Sequence, residues 1–187
     1  MEYFLEPGDL IDRIRNMLRA FSLAQATLIR QDPHEDAIVD ALKPFLYEFF
    51  HDFPNDINHN YDLMHSDNEM VRKAGEFLRS ELPKNKIPKK SAPDQEVIVK
   101  RMLPDYILHD LTSGVHNFLI IEVKKTTNIN QHDRVWDRLK LTAATSGHLN
   151  YTYGCFVDIA TGDDVKKGKA SNFVLYMDGE AVYHEAV

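Results

Sequence analysis

Three charged residues stand inside two apolar runs that otherwise have the composition of buried strands. Asp105 lies in PDYILHD, and Glu122 and Lys124 lie in NFLIIEVKK. Two carboxylates that face each other across paired strands repel unless a cation lies between them. Carboxylate oxygens, with waters and a phosphate oxygen, are the ligands that Mg²⁺ favours. The residue types therefore indicate a magnesium site, and the alternative is a strand face that is simply exposed to water.

The spacing of the two runs predicts which residues face each other. A two-residue turn at Ser113-Gly114, where glycine supplies a positive φ, joins them as a hairpin. Asp105 then faces Glu122 with the Cβ atoms about 5 Å apart, and position 110 faces position 117. Lys124 projects on the same face as Glu122. Because apolar residues occur on both faces, we expect both faces to be partly buried near the middle of the hairpin.

The elements around this hairpin follow from hydrophobic periodicity and from turn signals. The predicted elements are a helix over 9–30, a helix from Pro33 to about Phe50 with a kink or break at Pro44, a strand over 56–64, a surface helix over 66–82, a mobile loop Pro83–Gln95, strands over 97–102, 104–110 and 117–125, a helix over 132–146, a strand over 151–159 and a hairpin over 172–186 that turns at Asp178-Gly179. This order predicts a single α/β domain, residues 1–187, with a central mixed β-sheet flanked by helices.

The helix over 132–146 carries two stripes with different expected roles. Val135, Leu139 and Ala143 recur at helical spacing and are predicted to face the core. Arg134 and Arg138 belong to a second stripe beside it. That stripe is either an ordinary solvated face or a surface that touches a phosphate backbone.

Bulk composition limits the function classes. The net charge of −7 argues against indiscriminate binding to polyanions. Between Lys84 and Arg101, however, six basic residues stand against two acidic ones, which makes this segment the first candidate for phosphate contact. The absence of a long apolar run predicts no membrane contact. The lone Cys155 and the lack of a signal-peptide pattern at the N-terminus predict a cytoplasmic setting.

The stretch from Pro104-Asp105 through sixteen residues to Glu122-Val123-Lys124 resembles the signature of the PD-(D/E)xK nuclease superfamily, which has the restriction-endonuclease-like fold. The resemblance extends over about residues 32–160. HEDAIVDALKPFL is similar to the leading helix of the family, with Glu35 as its acidic residue. INHNYDL, RMLPDYIL and NFLIIEVKK resemble its first three core strands, and DRVWDRLKLTAATS with YTYGCFVDI resembles its closing helix and fourth strand. The insertion over 66–96 and the second lysine, Lys125, depart from the family pattern.

The resemblance implies metal-dependent hydrolysis of phosphodiester bonds in nucleic acid, in DNA in preference to RNA. Asp105, Glu122 and the Val123 carbonyl would hold Mg²⁺ or Mn²⁺, and Lys124 would orient or activate the attacking water. Glu35 would reach the site through water or a second metal. The alternative for Glu35 is a capping box, in which Asp32 is the N-cap and Glu35 bonds only the helix start.

The expected partner is nucleic acid. The residues expected to contact it are Lys89, Lys90, Arg101, Lys125, Arg134 and Arg138. Because the sequence shows no appended recognition domain, we also expect a homodimer or a protein partner. The alternative function is a non-catalytic module on the same fold that binds nucleic acid or a protein and leaves the carboxylates idle.

Overall fold

The structure is a computed structural model, and it describes residues 5–54, 56–59, 63–66, 69–109, 117–147 and 149–187. Its helices are α1 (Pro7–Ala24), α2 (Ala26–Arg30), α3 (Glu35–Phe49), α4 (Gln131–Ser146) and α5 (Gly162–Lys166), with a 3₁₀ turn at Lys84–Lys86. Its strands are β1 (Asp56–His59), β2 (Leu63–Ser66), β3 (Glu69–Arg72), β4 (Ala74–Leu78), β5 (Val97–Arg101), β6 (Tyr106–His109), β7 (Asn117–Lys125), β8 (Tyr153–Ile159), β9 (Asn172–Met177) and β10 (Glu180–Ala186).

Six strands form one mixed sheet in the order β1-β6-β7-β8-β9-β10. β7 and β8 are parallel, and α4 connects them across one face of the sheet, whereas the other neighbouring pairs are antiparallel. β2 pairs with β3 and β4 pairs with β5 in two separate two-stranded sheets. The prediction of an α/β fold with a central mixed sheet flanked by helices is confirmed.

Each face of the six-stranded sheet is covered by its own set of side chains. One face packs against α1 and α3 and forms what we call the apolar layer: Leu10, Ile14, Phe21, Ile38, Leu42, Leu46, Tyr106, Leu108, Leu119, Ile121 and Val123. The other face packs against α4 and the β4–β5 pair through Phe77, Ile98, Ile107, Ile120, Trp136, Leu141, Ala144 and Phe156. β7 is therefore buried on both sides over most of its length.

The register of β6 and β7 agrees with the prediction along most of the pair. Tyr106 faces Ile121 and Leu108 faces Leu119, as the turn-based register requires. The register then shifts, so that Asn117 faces His109 instead of the predicted position 110. A bulge of this kind adds one residue to one strand and shifts the pairing beyond it by one residue. The predicted Ser113-Gly114 turn lies outside the described residues.

The capping box predicted at the start of α3 is wrong. Glu35 is the first helical residue, and the N-cap is His34, whose side chain makes no capping hydrogen bond to any described residue. Asp32 has a positive φ of 51° and turns its carboxylate away from α3, toward Lys125. The helix also runs on past Pro44 to Phe49, so the break allowed for at Pro44 does not occur. The long N-terminal helix does break, between Ala24 and Ala26.

The surface helix predicted over 66–82 is also wrong, because the described part of this segment contains β3 and β4. β4 pairs along its whole length with β5, which lies about twenty residues later in the chain. This pairing buries Phe77 against the α4 side of the molecule, where its ring lies 4.8 Å from that of Trp136. Burial against a distant strand therefore overrides the local helical pattern.

The C-terminal hairpin has the predicted turn. Asp178 and Gly179 have φ values of 49° and 82°, the conformation that two-residue hairpin turns require. Between β8 and β9 the chain forms the short helix α5, which the sequence did not indicate. Within the part of the chain that the structure describes, none of the helices combines the length and the apolar character needed to cross a bilayer.

Candidate functional site

The charged end of β7 lies inside the protein. Glu122 is 1% exposed and Lys124 is 8% exposed, because β7 is covered on both faces. Asp105 is partly buried just before β6, and its Oδ2 accepts a hydrogen bond from the Val123 backbone N–H at 2.7 Å. The structure therefore brings Asp105, Glu122 and Lys124 to one region, and the alternative of a solvent-exposed strand face is wrong.

Two residues of α4 complete the cluster. Lys140 Nζ lies 2.6 Å from Glu122 Oε2 and 2.8 Å from Asp137 Oδ1. Lys124 Nζ lies 2.9 Å from Asp137 Oδ2 and 2.6 Å from Glu35 Oε1. Positive and negative groups therefore alternate from Glu122 inside the protein to Glu35 near its surface. We call these residues together with Asp105 the ionic network: Glu35, Asp105, Glu122, Lys124, Asp137 and Lys140.

The inward face of α4 agrees with the prediction at Leu139 and Ala143, which pack against the core, but differs from it at Val135. Val135, which was predicted to be inward, is 40% exposed, whereas Trp136, Asp137 and Lys140 are buried. The charged side chains are accommodated inside because they find partners on β7. Sequence reasoning therefore missed Asp137 and Lys140. The signal that points to them is Trp136, whose large side chain marks the inward stripe on which both charged residues lie.

Burial and neighbouring charges shift the ionisation of the network. Burial raises the pKa of Glu122 well above its usual value, against the opposing effect of Lys140, and Asp137 and Asp105 raise it further. Burial likewise raises the pKa of Asp105, against the hydrogen bond from Val123. These carboxyl groups are costly to ionise where they lie, so a nearby positive charge stabilises them.

The two lysines respond in the opposite direction. Burial lowers the pKa of Lys124, but Asp137, Glu35 and Asp105 outweigh burial and raise that pKa overall. Burial lowers the pKa of Lys140 too, and Glu122 and Asp137 again outweigh it, so that pKa is also raised. Both side chains are therefore ammonium ions at neutral pH.

The ionic network leaves two buried carboxyl oxygens without a hydrogen-bond partner among the described residues. Glu122 Oε1 is buried with no hydrogen-bond partner among the described residues. Asp137 Oδ2 is likewise buried, and its approach to Lys124 is an ion-pair distance without hydrogen-bond geometry. The ionic network holds four carboxyl groups and two ammonium groups.

The donor types fit a divalent cation, but the carboxylates do not converge on one. Among the described residues, no group of three or more His, Cys, Asp or Glu side chains is arranged to hold a metal ion. The lysines lie between the carboxylates, and the Lys140 ammonium takes one oxygen each of Glu122 and Asp137. The donor types are hard oxygens, which Mg²⁺ and Mn²⁺ favour, and Glu122 Oε1 has no partner among the described residues.

The ionic network reaches the surface at Glu35. Glu35 Oε2 accepts a hydrogen bond from Asn128 Nδ2 at 3.1 Å, and both residues line a surface pocket of about 350 Å³. Lys125 lines the same pocket, with its Nζ 2.9 Å from Asp32 Oδ1 and 2.6 Å from the Pro33 carbonyl oxygen. This pocket is the opening beside Glu35 from which the network leads inward.

Apart from Lys125, which lines the pocket and pairs with Asp32, the residues expected to contact nucleic acid divide into two groups. Lys89, Lys90, Arg101 and Arg138 are exposed, and the Arg138 guanidinium lies over the Phe156 ring at 5.1 Å from its centroid. Arg134 is 8% exposed and forms a two-point ion pair with Asp158 at 2.9 and 3.0 Å. The Arg134 guanidinium also donates to the Lys125 and Asn128 carbonyl oxygens. Arg134 thus ties α4 to β7 and β8, and we leave it out of any surface that contacts phosphate.

No protein-family model, no curated protein and no solved structure matches this chain. Its function is therefore argued from the residues and their geometry.

Proposed function

We propose that the protein is a metal-dependent nuclease with a restriction-endonuclease-like core. The observation that carries the proposal is that Asp105, Glu122 and Lys124, which are remote from Glu35 in sequence, form one buried network with it. The element order adds support. α3 precedes the antiparallel strands β1, β6 and β7, and α4 then leads to the parallel strand β8, which is the order that the sequence resemblance implies.

The proposed metal ligands are Asp105, Glu122 and the Val123 carbonyl, with Mg²⁺ or Mn²⁺ as the ion. When bound, the ion would supply a water of lowered pKa and positive charge for the phosphate oxygens. Glu122 is the strongest of these candidates, because its buried Oε1 has no partner among the described residues. The Val123 carbonyl oxygen is 3.3 Å from Lys124 Nζ, which places it beside the same charged groups.

The proposed role of Lys124 follows from its charge. Asp137, Glu35 and Asp105 raise the pKa of Lys124, so we assign its ammonium group as a hydrogen-bond donor that orients the attacking water. It would hold its positive charge beside the phosphate while a water molecule loses one proton to solvent and its oxygen bonds to phosphorus. The bond from phosphorus to one sugar oxygen then breaks, and the leaving oxygen takes a proton from solvent. Glu35 and Asp137, at 2.6 and 2.9 Å, fix the position of that ammonium.

The proposed substrate is nucleic acid, with DNA preferred to RNA. The exposed basic residues Lys89, Lys90, Arg101 and Arg138 are the proposed phosphate contacts. Such contacts make affinity fall as salt concentration rises, because counterions are released from the phosphate backbone. A homodimer or a protein partner remains part of this proposal, since the exposed basic residues alone select no nucleotide sequence.

The burial and internal pairing of the ionic network support a second candidate function. Glu122 is 1% exposed and its Oε2 is ion-paired, and the described acidic side chains form no ready metal site. Such an arrangement is also what a non-catalytic module on this fold would have, with the charges serving structure alone. That module would bind nucleic acid or a protein without added metal.

The decisive experiment compares wild type with Glu122→Gln, which keeps the side-chain volume and removes the charge. Single- and double-stranded DNA and RNA are incubated with each protein in Mg²⁺, in Mn²⁺ and in EDTA. We expect metal-dependent cleavage by wild type that falls at least about 100-fold in Glu122→Gln, as when one electrostatic contributor to a transition state is lost. Glu76→Gln, a change at an exposed glutamate, is the matched control and should cleave like wild type.

Binding measured in EDTA separates the two candidates. Fluorescence anisotropy with the same labelled oligonucleotides reports affinity without cleavage. Undiminished cleavage by Glu122→Gln would overturn the nuclease proposal at this site. Binding that is equal in wild type and Glu122→Gln, with no cleavage in either metal, would establish the non-catalytic module instead.

A further inference from the structure

The Lys140 ammonium occupies the inner end of the ionic network. Its Nζ lies 2.6 Å from Glu122 Oε2, 2.8 Å from Asp137 Oδ1 and 3.4 Å from the Leu103 carbonyl oxygen. An ammonium group has three N–H donors, so these three oxygens satisfy it. The Lys140 side chain is only 6% exposed. Lys140 is therefore a built-in counter-ion of buried carboxylates and not a surface lysine that happens to lie near them.

One ammonium does not complete the site around Glu122. Lys140 contacts Oε2 of Glu122, and the other oxygen, Oε1, is buried without a partner in the described part of the chain. A buried carboxylate oxygen without a partner carries a desolvation cost that a further cation removes.

A divalent ion can bind at Glu122 beside the Lys140 ammonium only at a cost in free energy. Each carries positive charge, and two positive charges a few ångströms apart repel strongly where water is excluded. Both also need the same oxygens, since Lys140 already takes one from Glu122 and one from Asp137. Asp137 keeps a positive partner in either case, because Lys124 lies 2.9 Å from its other oxygen.

We propose that the Lys140 ammonium competes with the divalent cation for Glu122 and Asp137 and thereby sets the affinity of the site for that cation. The inference rests on the proposed metal-dependent function and adds two residues to it. Lys140 is a positioning residue that withdraws when the ion binds. The Asp137 oxygen that contacts Lys140 then binds the ion, while the other Asp137 oxygen keeps its contact with Lys124. Removing the charge of Lys140 then strengthens cation binding.

Mn²⁺ binding measured by electron paramagnetic resonance tests this competition without substrate or activity. The proteins are wild type, Lys140→Met, Lys140→Arg and Glu122→Gln. We expect Lys140→Met to bind Mn²⁺ about tenfold more tightly than wild type, within the range typical of coupling between two ligands. Lys140→Arg keeps the charge and should bind as weakly as wild type. Glu122→Gln should not bind at this site.

A second measurement uses wild type alone, since Lys140→Met removes a buried charge and its folding must be checked by circular dichroism. Acetic anhydride acetylates accessible amines, and peptide mapping by mass spectrometry reports each lysine separately. We expect acetylation of Lys140 to rise severalfold with saturating Mg²⁺, because the ammonium leaves its buried position. Lys166 is 63% exposed and serves as the internal control, with acetylation that Mg²⁺ leaves unchanged.

The outcomes separate this inference from the proposed function. If Glu122→Gln loses Mn²⁺ while Lys140→Met binds like wild type, the competition is overturned and the metal site stands. If neither wild type nor Lys140→Met binds Mn²⁺, the metal site is overturned and the competition with it. If Lys140→Met does not fold, constant acetylation of Lys140 in Mg²⁺ overturns the competition by itself.

Discussion

The two faces of β7 bury side chains to the same extent but by different means. Toward α1 and α3, Leu119, Ile121 and Val123 join the apolar layer and need no partners other than neighbouring hydrocarbon. Toward α4, Ile120 is followed by Glu122 and Lys124, which are buried only because Asp137 and Lys140 meet them. One strand thus contributes hydrophobic stabilisation on one face and an ionic network on the other.

This difference supports the assignment of the proposed function to the α4 face. Burying apolar area stabilises the fold by roughly 25 cal/mol per Å² and requires no special geometry. Burying charges costs free energy that ion pairs largely offset, so a buried ionic network is weak evidence for stability. The α4 face therefore carries a cost that the apolar layer does not. Raised carboxyl pKa values on that face are typical of functional sites, which supports the proposals made for it.

The largest expected effect on stability comes from removing one charge of the ionic network. Lys140→Met should lower the free energy of unfolding by about 3–5 kcal/mol, because it leaves Glu122 buried and unpaired. The double change Glu122→Leu with Lys140→Met should recover most of that loss, since the pair is then replaced by apolar side chains of similar volume. Urea unfolding in EDTA measures both.

The surface pair Lys166–Asp163 provides the matched control. It has the same i, i+3 spacing and nearly the same distance as Lys140–Asp137, 2.9 against 2.8 Å, but its side chains are 63% and 74% exposed. Lys166→Met should therefore leave the free energy of unfolding close to that of wild type. Equal losses at Lys140 and Lys166 would contradict the distinction between a buried network and a solvated pair.

The next effect in size concerns the apolar layer. Ile121 is fully buried, so Ile121→Ala should lower the free energy of unfolding by about 3 kcal/mol through lost burial and a residual cavity. Mn²⁺ affinity should not change, because Ile121 faces away from the ionic network. Val182→Ala, at a position 51% exposed, is the control and should stay within about 0.5 kcal/mol of wild type. A changed Mn²⁺ affinity in Ile121→Ala would show that the two faces are coupled.

Features decided by short-range pattern could be predicted from the sequence. The alternation along NFLIIEVKK and a glycine-containing turn give the β6–β7 register from Tyr106 to Leu108. They also place Asp105 and Glu122 near each other. In agreement with this, the charge of Asp105 is one of the causes that raise the pKa of Glu122. The Asp178-Gly179 turn follows from the two residues that form it.

Features decided by distant partners could not be predicted in this way. Asp137 and Lys140 turn inward because their partners lie on β7, and a helical pattern alone favours the apolar stripe that begins at Val135. β4 is a strand because β5 pairs with it, although the sequence near β4 has helical character. Asp32 has the sequence position of a helix N-cap, but its carboxylate accepts a hydrogen bond from Lys125. In each case, a contact between residues that are remote in sequence decides which of two local conformations the chain adopts.

The smallest expected effect comes from Asp32, at the exposed rim of the pocket beside Glu35. Asp32 Oδ1 accepts hydrogen bonds from Lys125 Nζ at 2.9 Å and from the Thr127 and Thr161 hydroxyls at 2.8 Å each. The bond from Lys125 is the main cause of a pKa lowered from the usual 3.8, with Thr161 and Thr127 adding to it against partial burial. The Asp32 side chain is 39% exposed, so solvent screens its charge.

Because the folded state lowers the pKa of Asp32, the stability that its charge contributes is present above pH 3.8 and is lost as pH falls through the lower folded value. Asp32→Asn should therefore be about 0.5 kcal/mol less stable than wild type at pH 7, as expected for an exposed ion pair. Urea unfolding from pH 7 to pH 3 should show this difference shrinking below pH 3.8, and 1 M salt should reduce it at pH 7. A difference that grows toward low pH, or that resists salt, would mean that the rim is as strongly coupled as the buried network, and the contrast between exposed and buried charge in this protein would fail there.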